Sequence, residues 1–199
     1  MGGYGMEMSK YFLCFAFFSF VGWLWECIYY TIQQRRRVNS GFLTTCFCPI
    51  YGIGGLLGLV LLGRVQNTVV LFFAGMIVTG TLEYFVGWLL EKLFNRRWWD
   101  YTGWPLNING RICIISVVAF GLATVALVKY IGPATISFIN TLDPVMVQAS
   151  SMVIALVMLI DTVYSVRHMN TDKLWFVEKQ EEFIENNRIM NRIRETFKR

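Results

Sequence analysis

Apolar residues run along this chain in long blocks with few polar interruptions, and the charged residues gather between the blocks. The first block runs from Lys10 to Ile32 and is closed by Arg35, Arg36 and Arg37. The others span Pro49 to Gly63, Thr68 to Phe94, Ile112 to Ile131 and Pro144 to Val166. Crossing a hydrocarbon layer takes roughly 20 mostly apolar residues wound as helix, because every backbone N–H and C=O must be satisfied within the segment. The pattern therefore predicts an all-α membrane bundle of about five transmembrane helices, the second being the shortest.

Composition strengthens that reading. Of 199 residues, 55% are hydrophobic and 16% charged, and mean hydropathy is +0.48, a balance at odds with a soluble domain of this size. The formal net charge of +5 sits at block ends, so it reads as a topology signal and excludes a nucleic-acid footprint. Positive loops stay cytoplasmic. Arg35 to Arg37, then Lys92, Arg96, Arg97 and Arg111, then the basic tail after Val166 share one side if the N-terminus lies outside and the C-terminus inside; Lys10, Arg64 and Lys129 oppose this. Met1 to Ser9 lacks a basic leader, so the first block is expected to remain as a span of an inner (plasma) membrane. Five cysteines lie in helices or toward the reducing side, so no disulfide is expected. Cys46-x-Cys48 lacks a second pair for a metal, and buried thiols are the simpler reading; neither a metal nor a cofactor is expected.

Two organising features follow. Phe20-Val-Gly-Trp-Leu-Trp-Glu26 returns as Phe85-Val-Gly-Trp-Leu-Leu-Glu91, each copy followed by an Arg cluster and a Pro-containing loop. A parallel duplication of a helix-loop-helix pair accounts for this, and so does chance among residues common at membrane interfaces. Gly54 and Gly58, and then Gly75, Thr79, Glu83, Gly87 and Glu91, recur at four-residue spacing. Small residues so placed let helices approach, and carboxylates on that stripe must face protein or a wet cavity. The bundle is assigned residues 1–169. Residues 170–199 are expected to form a cytoplasmic amphipathic helix, with N-cap chemistry at Asn170-Thr171-Asp172 and Phe176, Phe183, Met190 and Phe197 at seven-residue spacing.

Candidate chemistry lies in three acids and two loops. Glu26 stands roughly 13 Å along its helix from Arg35, and Glu83 roughly 20 Å from Arg96, too deep for easy snorkelling. Each reads as a proton, cation or substrate site, or as an interhelical hydrogen-bond anchor; Asp161, nearer its helix end, reads as structural. The segments Asn39 to Gly52 and Asn95 to Arg111 are too apolar and aromatic for solvated linkers, and such backbone is tolerated where it re-enters the membrane or lines a cavity. In the second, Arg111 suits a phosphate or carboxylate, Asp100 a base or orienting group, and Tyr101, Asn107 and Asn109 ligand positioning. An aromatic belt with an Asp–Arg pair pinning the loop explains the same residues.

Gly22-Trp-Leu-Trp-Glu26, Asn39-Ser-Gly-Phe-Leu43, Cys48-Pro-Ile-Tyr-Gly52, Leu82-Glu-Tyr84 and Trp99-Asp-Tyr101 through Asn107, Asn109, Gly110 and Arg111 resemble the CmpB family of bacterial membrane proteins, named for type IV ABC-transporter permeases. The resemblance runs from about Phe12 to Ile131. It departs mildly at Ser40, where the family pattern has Arg, and at Thr102, where it has Ser. It implies a permease-like component of a transport system; the acids and loops above add the expectation of a small or amphiphilic solute, with pathway or binding residues drawn from Glu26, Asn39, Glu83, Asp100, Tyr101, Asn107, Asn109 and Arg111. The chain has no Gly-x4-Gly-Lys-Ser/Thr phosphate loop, so ATP hydrolysis implies an ATPase subunit, and five helices imply that partner or a homo-oligomer, besides membrane lipid. The rival is an enzyme acting on a lipid or isoprenoid-linked substrate at the cytoplasmic interface.

Overall fold

A computed structural model describes residues 2–35, 39 and 41–171. The expected helix over 170–199 therefore lies outside the described residues, apart from Asn170 and Thr171. These two are the last residues of the preceding helix.

The described chain is all-helical: α1 (Gly2–Gln34), α2 (Pro49–Leu62), α3 (Thr68–Phe94), α4 (Ile114–Ala126), a π-helical turn (Leu127–Ile131), α5 (Gly132–Thr141) and α6 (Pro144–Thr171). With α4, the π turn and α5 continuous, these make five rods. Four contain apolar runs long enough to cross a membrane: Gly5–Ile32, Thr68–Phe94, Ile114–Thr141 and Pro144–His168. The fifth, α2, has 14 residues, about 21 Å of helix against a hydrocarbon core of about 30 Å.

The fourth block does not stop at Ile131 as expected. Gly132-Pro133 reads as a terminator, since Pro cannot donate to the residue four back. Here the helix widens first: Gly132 N–H reaches the Leu127 carbonyl five residues back, and the widened turn passes the ring without breaking the rod. Other boundaries follow local chemistry. Asn67 Oδ1 caps α3 by accepting from Val69 and Val70 N–H at 2.9 and 3.2 Å, and Asp143 Oδ1 caps α6 by accepting from Val145 and Met146 N–H.

Neighbouring side chains give the rod directions. Gly22 meets Tyr51 and Gly55 meets Phe18, so α2 runs antiparallel to α1; Gly54 meets Leu82 and Gly75 meets Thr124, continuing the alternation through α3 and α4. At Gly22 the approach is absolute, because a Cβ there would sit 2.1 Å from Tyr51 Cγ. Apolar packing gathers in two places. Cys14, Phe18, Ile139 and Val147 join α1, α5 and α6, and Leu62, Leu71 and Val128 join α2, α3 and the π turn.

The functionally important feature is where α2 and α4 begin. Cys48 N–H donates to the Ser19 carbonyl, about 22 Å up α1 from Gln34. The first loop thus folds back along α1 before α2 starts. The second does the same along α3, reaching Glu83 about 16 Å from Phe94. Phe42 from the first loop stacks against Phe94 and Trp98, with centroids 5.9 Å from each, so the two folded-back loops touch.

Candidate functional site

Glu83 lies on the α3 face turned to α4 and is 5% exposed. Tyr101 Oη donates to its Oε1 at 3.0 Å, and Ser116 Oγ lies 3.0 Å from its Oε2. Ser116 belongs to the first turn of α4, where Cys113 Sγ accepts from Ser116 N–H and Ser116 Oγ accepts from Cys113 N–H. The carboxyl group therefore faces the positive end of the α4 dipole, which favours negative charge. Burial first, then the neighbouring Glu83, raise the Tyr101 phenol well above its ordinary value, so Tyr101 stays protonated and acts as the donor. Trp104 packs edge-on against Tyr101 at 5.9 Å, and its buried indole N–H has no acceptor among the described residues.

A second carboxyl–phenol pair stands across the bundle. Tyr51 Oη in α2 donates to Glu26 Oε1 in α1 at 3.0 Å. Tyr30 of α1 interacts electrostatically with a member of each pair, Glu26 and Tyr101. One polar cluster thus joins α1, the start of α2, α3 and the start of α4.

The remaining predicted residues hold the loops. Asn39 Oδ1 accepts from Trp23 Nε1 at 2.8 Å, and its Nδ2 donates to the Thr44 carbonyl at 3.2 Å. Asp100 Oδ1 accepts from Thr102 N–H at 2.9 Å and from Arg97 Nη1 at 3.5 Å. Asn107 bridges the Trp104 carbonyl and Gly110 N–H. Asn109 donates to Tyr84 Oη at 3.0 Å. Arg111 puts Nη2 and Nε on Glu91 Oε2 at 2.7 and 3.1 Å and lies over the Tyr84 ring. An Asp–Arg pair is present, Arg97 with Asp100, and Glu91 adds two more ion pairs, with Arg97 and with Arg111.

The turn at Asn109-Gly110 makes this possible. Arg111 N–H closes onto the Ile108 carbonyl, and both central residues have positive φ, +54° and +69°, as a type I′ turn requires. A Cβ on Gly110 would lie 2.5 Å from Asp100 Oδ1. Asn-Gly is a strong turn signal that sequence reading passed over, together with Ser116, Glu91 and Arg97 as partners. Asp161, read as structural, accepts from Thr44 and Thr45 N–H at 3.2 and 2.8 Å, from both their hydroxyls, and from Ser165 Oγ at 3.3 Å. It fastens the first loop to α6.

Against known proteins, the model of the family described as "Putative ABC-transporter type IV" matches residues 13–166. That is more than half of the chain, and it takes in the fifth rod, beyond the reach of the motifs quoted above. No curated protein and no solved structure matches.

Proposed function

The chain belongs to that family of multi-pass membrane transport components, and from this premise we propose that it is the permease-like part of a bacterial inner-membrane system for a small or amphiphilic solute. ATP hydrolysis comes from a separate subunit, and the N-terminus lies outside. The observation that carries the reading is Glu83, a carboxyl group 5% exposed, held by two neutral hydroxyls where α4 begins. A carboxyl group at membrane depth is expensive, and sites formed where helices start inside the bundle are a recurrent device of transporters. The path runs between the α1–α2 and α3–α4 pairs, bordered by Glu26 with Tyr51 and by Glu83 with Tyr101. The folded-back loops form its cytoplasmic gate, braced by Asn39, Asp100, Asn107, Asn109 and Arg111.

The geometry favours this over lipid chemistry at the second loop. An enzyme of that kind needs Arg111 for an anionic head group, and Glu91 already takes two of its N–H groups. The test is a mild-detergent pull-down of the tagged full chain from its native host, with mass spectrometry of proteins and bound lipids. A stoichiometric ATPase is expected. Retained isoprenoid-linked lipid with no ATPase would overturn the permease reading in favour of the enzyme.

A further inference from the structure

Three of the acids inside the spanning rods, Asp161, Glu91 and Glu83, have different surroundings, and the difference separates their roles. Asp161 accepts from two amide N–H groups and three hydroxyls, a donor-rich setting that favours a permanent carboxylate. Glu91 is paired with Arg97 and Arg111, which does the same by charge. Glu83 bonds two neutral hydroxyls and, among the described residues, no Lys, Arg or His.

Ser116 is the decisive partner. Its Oγ stands 3.0 Å from Glu83 Oε2 and 3.0 Å from the Cys113 carbonyl, and one hydroxyl proton cannot serve both acceptors. With Glu83 ionised, Ser116 donates to Oε2 and the helix end balances the charge. With Glu83 protonated, Oε2–H donates to Ser116 Oγ, whose own proton turns to the Cys113 carbonyl. In both arrangements Cys113 N–H donates to Ser116 Oγ and Tyr101 donates to Oε1. Each protonation state therefore has a complete hydrogen-bond set, and one hydroxyl rotation connects them.

Resting on the reading that Glu83 borders the path, we propose that the Glu83–Ser116–Tyr101 cluster is a proton-exchange site, in which Glu83 takes up and releases one proton beside the path. The groups facing it are neutral or distant. Tyr101 comes from the second loop, Cys113 and Ser116 from the start of α4, and Tyr30 from α1. Beyond Tyr30 lie Glu26 and Tyr51. Two turns down α3, Glu91 is occupied by Arg97 and Arg111. The transfer is a plain acid–base step: a proton from water or from a cationic solute binds Oε2 and leaves by the same bond.

The experiment is a pH titration by infrared difference spectroscopy on the purified full chain in phospholipid bilayers. We expect a carboxylic-acid C=O component, present in wild type and missing from Glu83→Gln in the difference between the two, that disappears as pH rises. In Tyr101→Phe the carboxylate loses a donor, so the midpoint moves upward by about one pH unit. A Glu83 component, in the wild-type minus Glu83→Gln difference, that stays unchanged into the alkaline range overturns the proposal. So does the absence of such a component at every pH. Should Glu83→Gln fail to fold, an unmoved midpoint in Tyr101→Phe overturns it equally. Retained isoprenoid-linked lipid with no ATPase in the pull-down would sink the permease reading and leave this titration standing, whereas a flat titration would sink only the proton site.

Discussion

Arg111 shows how a residue's neighbours decide what its chemistry is available for. Alone, a guanidinium beside a Trp-rich loop invites a phosphate. Its two N–H groups on Glu91 Oε2 and its place over Tyr84 commit it to holding the loop instead. Both partners are less than a third exposed, so the pair is screened less than a surface bridge. A double-mutant cycle of Glu91→Gln and Arg111→Met, read from thermal unfolding in detergent, should give a coupling energy of about 1–3 kcal/mol. Coupling near zero would mean that the loop is held elsewhere. The burial of Glu83 was legible in the sequence, because a carboxylate on a stripe of small residues has to face inward. Its partners were not, since Tyr101 and Ser116 reach it only once Asn109-Gly110 has turned the second loop back. That turn was written in the chain as Asn-Gly, yet the aromatic residues around it drew the reading toward the membrane interface.

Among the elements, apolar length located the rods well, because helix is the open-ended structure that satisfies its own backbone in lipid. Gly132-Pro133 misled for an equally physical reason: a local stop signal was absorbed by a π turn, which no apolar count registers. The loops were recognised as unlike linkers, but what fastens the first one is 116 and 117 positions away in sequence, and no local pattern carries such a pairing. Asp161 binds the Thr44 and Thr45 amides directly, so Asp161→Asn, which keeps one acceptor oxygen and loses the charge, should weaken the clasp without dissolving α6. Hydrogen exchange in detergent should then speed up at the Thr44 and Thr45 amides by about tenfold or more, as loss of a charged acceptor implies. Exchange at the Tyr101 and Arg111 amides in the second loop should not change. Uniform acceleration of both loops would show that Asp161 supports the whole bundle and not one gate element.

For the whole molecule, the alternating rods sort the charges by end. Arg35, Arg96, Arg97 and Arg111 lie at the end where α1 and α3 finish, and Arg167 is near the finish of α6. Lys10, Arg64 and Lys129 lie toward the other end, where Lys129 Nζ donates to the Gln66 carbonyl and Thr68 Oγ. A bundle with these ends has two orientations in a membrane, and the excess of Arg at one end is the ground for the proposed one, with the folded-back loops in the cytoplasm. The short α2 makes this worth testing, because a crossing there would need residues 41–48 to supply part of it with non-helical backbone. If that segment failed to reach the cytoplasmic surface, the loops after α1 and α3 would still share an end, so one label in each loop type settles the direction. In a variant lacking the native cysteines, Arg64→Cys should react with a membrane-impermeant maleimide in right-side-out vesicles, while Arg96→Cys should react only after the membrane is opened. The reverse pattern would place Glu83 and its hydroxyl partners nearer the external face, and the proton bound there would then exchange with the outside first.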